Sequence, residues 1–104
     1  MELTVVDRVI LMSVLPKEGD ISTLKILRDL MSEIGFTEEE VQKLEMSSSE
    51  KGTTWKQDEG IKLNKEIDIG PRAYNVIEGA FRKISEAKKL TLEHLPTFEK
   101  FVKD

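Results

Sequence analysis

Ile34-Gly35-Phe36-Thr37-Glu38-Glu39-Glu40-Val41 is the stretch that decides how this chain folds. Thr37 is an N-cap residue with Glu40 three positions on. Together they form a capping box, in which each side chain accepts the other residue's otherwise unpaired amide. Phe36 before the cap and Val41 after the first turn make a hydrophobic staple that fixes how the chain enters the helix. The carboxylates of Glu38, Glu39 and Glu40 suit the positive end of the helix dipole. Gly35 is predicted to stop the preceding helix in left-handed conformation. The stretch is therefore a tight corner between two helices.

Working upstream, Leu24, Leu27, Met31 and Ile34 fall at helical spacing, and Asp20 is the expected N-cap of that helix. Before it, Leu3–Leu15 reads as a first helix closed by Pro16. Its apolar residues cover most of the circumference, and Thr4, Asp7 and Arg8 supply one narrow polar edge. A helix this apolar belongs in the centre of a core or in a subunit contact, so a homo-oligomer is one expectation.

Downstream, Ser47-Ser48-Ser49 has loop composition, Thr53-Thr54-Trp55-Lys56 is β-prone, and Gln57-Asp58-Glu59-Gly60 contains turn residues. Ile61–Ile69 carries alternating apolar positions, so the segment is predicted to form a β-hairpin or two-stranded ribbon; Asn64-Lys65-Glu66 breaks the alternation, and the returning strand is either the whole of it or Lys65–Ile69 alone. Gly70-Pro71 opens a further helix with proline at its first position. Ala73, Ile77, Ala80, Ile84 and Ala87 line one face of it, and Gly79 in its middle implies close helix packing. A last helix is predicted from a Thr91 cap, carrying Leu92, Leu95, Phe98 and Phe101, with a kink at Pro96. The reading is one domain over residues 1–104, α+β and mostly helical: three N-terminal helices, a β-hairpin and two C-terminal helices. That order is compatible with a winged-helix-like arrangement and equally with a helical bundle carrying a ribbon.

Composition narrows the chemistry. The 104 residues contain no cysteine, which excludes disulfides, thiol nucleophiles and cysteine-ligated metals. A zinc site is unsupported with a single histidine, His94. The scattered glycines form no phosphate loop, and the acidic runs do not match a calcium loop. Scattered carboxylates leave a metal-dependent enzyme as a third reading. The expectation is accordingly no catalytic, cofactor-binding or metal-binding residues. No apolar run reaches the roughly 20 residues of a membrane helix, and Met1–Thr4 lacks a basic leader, so no membrane association and a cytoplasmic location are expected.

Charge is uneven along the chain. Residues 1–45 hold ten acids against five bases, whereas residues 71–104 hold seven bases against five acids. An acidic N-terminal half repels phosphate, and the third helix would present Glu38, Glu39 and Gln42 to a DNA groove. A nucleic-acid binder would instead have to use Lys62, Lys65, Arg72, Arg82, Lys83, Lys88 and Lys89. Trp55, with Lys56 beside it, is either a core anchor for the hairpin or the aromatic centre of an interface.

The corner resembles that of helix-turn-helix proteins, and also the Met-Gly-Phe corner of ubiquitin-associated domains, from which it departs at Ile34. Elsewhere the segments Leu15-Pro16-Lys17-Glu18-Gly19-Asp20, Thr23-Leu24-Lys25, Lys65-Glu66-Ile67-Asp68-Ile69, Lys89-Leu90-Thr91, Glu93-His94-Leu95 and Phe98-Glu99-Lys100-Phe101-Val102 resemble small uncharacterised proteins encoded by bacteriophages and prophages. That resemblance implies an accessory role carried out by binding and attaches no activity, cofactor or site residue. The leading expectation is a non-enzymatic protein-binding module with a host or phage protein as partner. The alternative is a winged-helix-like nucleic-acid-binding protein.

Overall fold

The computed structural model describes residues 1–49, 52–56 and 64–102. In chain order these form β1 (Glu2–Leu3), α1 (Val5–Val14), α2 (Ile21–Ile34), α3 (Glu38–Leu44), β2 (Ser47–Ser49), β3 (Gly52–Thr54), β4 (Lys65–Glu66), α4 (Pro71–Glu86) and α5 (Leu95–Phe101). The fold is α+β and mostly helical, with three helices before the hairpin and two after it. Among the described residues no helix is long and apolar enough to cross a membrane.

The core is built where α1, α2, α4 and α5 meet. Leu11, Ile34, Ile77, Phe81 and Phe101 are buried there with Leu27, Leu30 and Ile67. Phe81 meets Phe98 edge-on at 5.7 Å and lies stacked on Phe101 at 6.4 Å. Aromatic pairs in these orientations add to the stabilisation given by area burial alone.

Caps define the helices as their sequences demand. The Asp20 side chain accepts the Thr23 amide at 2.7 Å. Thr37 and Glu40 form the reciprocal box at 3.1 and 3.0 Å. Pro71 occupies the first turn of α4 behind a Gly70 cap. Helix α1 has a second capping box, in which Thr4 accepts the Asp7 amide and the Asp7 carboxylate accepts the Thr4 amide, both at 3.0 Å. Leu3 therefore lies outside the helix, in β1.

Several sequence expectations are corrected. The predicted polar edge of α1 is turned inward: Asp7 and Arg8 are buried. The hairpin pairs β2 with β3 in antiparallel register, Ser47 opposite Thr54 and Ser49 opposite Gly52. The serines expected to be loop are thus a strand. Lys65–Glu66 does not return along this hairpin. It pairs with β1, Leu3 opposite Lys65, and the Ile67 amide donates to the Met1 carbonyl at 2.9 Å. The predicted Gln57–Gly60 turn and the start of the predicted Ile61–Ile69 strand lie outside the described residues.

Gly35 has φ −63° and ψ 159°, an extended rather than left-handed conformation. Glycine is required there for space, because a Cβ would stand 2.8 Å from the Met31 carbonyl oxygen. Gly79 makes no close helix packing, since a Cβ there would meet nothing within 4 Å. Thr91 caps a turn, accepting the His94 amide at 3.4 Å, and α5 begins only at Leu95. Pro96 therefore sits in the first turn of α5, where its missing amide costs nothing, and produces no kink. Leu92, expected on the last helix's apolar face, is 87% exposed.

These two glycines should respond oppositely to alanine. Gly79→Ala should stabilise the protein by about 1 kcal/mol through helix propensity. Gly35→Ala should destabilise it, because the new methyl must displace the last turn of α2. Urea titration of both variants checks the pair of signs.

Candidate functional site

An apolar helix that keeps its charges inside must show something else outside. On α1, Asp7, Arg8 and Leu11 point into the protein, and Val6, Val9, Met12 and Ser13 lie on the opposite side, following the 100° step of the helix. Val6 is 41% exposed and Met12 37%. Two charges are thus buried beside Val5, Ile10 and Leu11, while a valine and a methionine stand at the surface.

Each buried charge has partners that hold this rotation. Arg8 Nε donates to the Ile34 carbonyl at 3.0 Å and Nη2 to the Gly35 carbonyl at 2.7 Å. Nη1 and Nη2 reach the Glu40 carboxylate at 2.7 and 3.0 Å, a two-pronged pair. The guanidinium carbon lies 4.1 Å from the Phe36 ring centroid. One side chain thus ties α1 to the end of α2, the corner and the first turn of α3. Asp7 accepts the Thr97 hydroxyl at 2.6 Å and also pairs with the Lys100 ammonium, both on α5.

The pairings set the ionisation of both acids. The Arg8 hydrogen bonds hold the Glu40 carboxyl at about 2, against an ordinary 4.5, outweighing burial, with help from the Thr37 amide. Burial opposes ionisation of Asp7, but the hydrogen bonds from Lys100, Thr97 and Thr4 outweigh it and lower its pKa.

The outer face of α1 forms the floor of two adjoining clefts. The larger, about 760 Å³, is bounded by Val6, Val9, Ile10 and Ser13 on the helix, by Gly52–Trp55 on the hairpin side, and by Glu93 and His94. The smaller, about 250 Å³, shares Val9, Ser13 and Thr53 and continues to Met12, Phe36 and Met46. The larger volume lies within the range of sites that take small molecules or side chains of a partner. Three separate parts of the sequence supply its walls.

Trp55 is half-buried on the hairpin wall and is not one of the core side chains. Lys56 is exposed, with its ammonium 3.9 Å from the Glu45 carboxylate, and its backbone amide donates to the Leu44 carbonyl at 2.7 Å. That backbone bond fastens the segment after β3 to the end of α3. His94 is half-buried at the far wall, and its Nδ1 accepts the Thr91 amide at 3.3 Å.

The described cations of the nucleic-acid alternative do not assemble around this cleft. Arg82 is paired with Glu78 one turn away at 2.9 Å. The Lys65 ammonium donates to the Glu33 carbonyl at 3.1 Å. Arg72 borders a different cleft of about 520 Å³ between α2 and the start of α4, among Asp29, Glu33 and Asp68. Lys83 borders a third, beside Val14 and Gly79. Lys88 and Lys89 are exposed beyond the end of α4, and Lys62 lies outside the described residues. Helix α3 shows Glu38, Glu39 and Gln42 to solvent. Among the described residues no group of three His, Cys, Asp or Glu side chains is placed to hold a metal ion.

Sequence reasoning singled out Trp55 but not its cleft partners Val6, Val9, Met12 and His94 as a group. The signal was the excess of apolar residues round α1. What hid the site was the position of the two charges, which on an ordinary helix would have marked the solvent side.

No family model matches the chain, and no curated protein or solved structure matches it either.

Two measurements follow. Stability should fall as pH drops from about 4.5 to about 2, because over that range the unfolded chain takes up the Glu40 proton and the folded chain does not. Glu40→Gln should lower stability at neutral pH and flatten that decline, read from urea titrations at several pH values. Trp55→Ala should cost on the order of 1 kcal/mol, short of the roughly 3–5 kcal/mol of a core aromatic, and iodide should quench Trp55 fluorescence in the native protein.

Proposed function

We propose that this chain is a protein-binding module of phage or prophage accessory type, acting by contact rather than catalysis, and that it binds through the outer face of α1 and Trp55. The observation that carries the reading is the exposed apolar outer face of α1 beside Trp55. The ties made by the buried Asp7 and Arg8 leave Val6 and Met12 in water, apolar surface that a partner could cover. Trp55 beside this face has the character of an interface hot spot, a rigid aromatic with a polar surround in Thr54, Lys56 and Glu93. The nucleic-acid alternative is less well supported, because Arg82 and Lys65 are already engaged and Arg72 sits among carboxylates.

The test is a capture experiment from host lysate with three variants of matched folding. Val6→Asp and Trp55→Ala should each weaken capture by tenfold or more, while Arg72→Glu, at the cleft between α2 and α4, should leave it unchanged. Val6→Asp should barely move Tm, since the side chain is already at the surface. Capture that survives Val6→Asp, or a wild-type protein that captures nothing reproducibly, would remove the reading.

A further inference from the structure

Granting that the outer face of α1 is a binding surface, we infer that its occupant is a basic amphipathic peptide segment. Its apolar side chains would lie on Val6, Val9 and Trp55, and a lysine or arginine would pair with Glu93. The charge pattern points this way. Among the described residues bordering the two joined clefts there is one carboxylate, Glu93, and no lysine or arginine. Glu93 is exposed and stands next to His94 at the end of the larger cleft. Among the described residues bordering the cleft an acidic ligand would find no cation to replace its lost hydration, Lys56 beside Trp55 being paired with Glu45 at 3.9 Å, whereas a cation would find Glu93 and Trp55. The acidic N-terminal half of the chain favours approach of the same sign of ligand.

The dimensions fit a short helical segment. Val6 to Ser13 is eight residues, seven helical steps and about 10 Å of helix axis, or roughly two turns. A partner helix with apolar residues at i, i+3 and i+4 and a base one turn further could lay those groups along this floor, as amphipathic helices do in other grooves.

Trp55, the single tryptophan, reports directly on the cleft. The probes are two synthetic peptides lacking aromatic residues, with the same leucine pattern, one carrying lysine and the other glutamate at every polar position. The leucine–lysine peptide should shift Trp55 emission saturably and the leucine–glutamate peptide should not. Glu93→Lys should weaken binding of the basic peptide at least tenfold. Asp29→Lys makes the same change in net charge at the cleft between α2 and α4 and should weaken it less than twofold. Equal losses in these two variants would mean general attraction to an acidic protein and would overturn the inference. Binding of both peptides alike, abolished by Val6→Asp, would overturn the charge assignment and leave the binding surface standing. Binding of neither would overturn the inference, and the effect of Val6→Asp on lysate capture would then judge the surface separately. A concentration-dependent dimer by light scattering, lost in Val6→Asp, would give the face to a second copy of the chain and overturn the inference as well.

Discussion

The guanidinium of Arg8 is the interaction on which the rest of the molecule depends. It is fully buried, and a charge in that position is tolerable only when its donors are met. Two carbonyls, a carboxylate and an aromatic face meet them. The carbonyls belong to Ile34 and Gly35, where α2 ends and its last acceptors have no partner in the helix. Lysine could not replace this side chain, because a single ammonium lacks the planar fork that reaches two carbonyls and both oxygens of Glu40. Glu40 is shared: it closes the capping box of α3 and accepts Arg8, so the start of α3 and the position of α1 are set by one carboxylate.

The rotation of α1 follows from this tie and from its neighbour. Asp7 is held to α5 through Thr97 and Lys100, and Arg8 to the corner. Consecutive residues on a helix point about 100° apart, so two anchored neighbours leave one rotation for the whole helix. In that rotation Leu11 and Leu15 enter the core and Val6, Val9 and Met12 face out. The exposed apolar face is thus a consequence of the buried charges, and the cleft beside Trp55 exists because the hairpin, tied to α3 at Leu44 and Lys56, does not close over it.

Local grammar in the sequence was legible and long-range pairing was not. The caps at Asp20, Thr37 and Gly70 depend on residues within three positions of one another, and each is found where its spacing placed it. The same holds for Leu27 and Ile34 in the apolar stripe of α2, whereas Leu24 stands exposed. Thr4–Asp7 is equally local, but Asp in place of the usual Glu or Gln conceals the box, so the apolar pattern alone extends the helix to Leu3. The strand partners could not be read, because Lys65–Glu66 pairs with residues more than sixty positions earlier and its short, charged segment shows no preference between β1 and the hairpin. Arg8 and Glu40 are 32 positions apart, and no pattern in the chain announces their meeting. Trp55 was recognisable as one of two things, core or surface, and its half-buried place at a cleft edge needed the position of α1 to be known. Gly35 illustrates a correct residue with a different cause: close approach to the Met31 carbonyl, rather than positive φ, is what forbids a side chain.

If one side chain organises the corner and the rotation of α1, its coupling to Glu40 must be large. A double-mutant cycle of Arg8→Met and Glu40→Gln, followed by urea unfolding at pH 7, measures it directly. Each single change should cost roughly 3–5 kcal/mol, because each leaves a buried or half-buried charge without its partner. The double variant should cost much less than their sum, with a coupling of about 2 kcal/mol or more. Additive losses, with a coupling below about 0.5 kcal/mol, would show that the two groups act independently and that α1 is held by its apolar contacts alone.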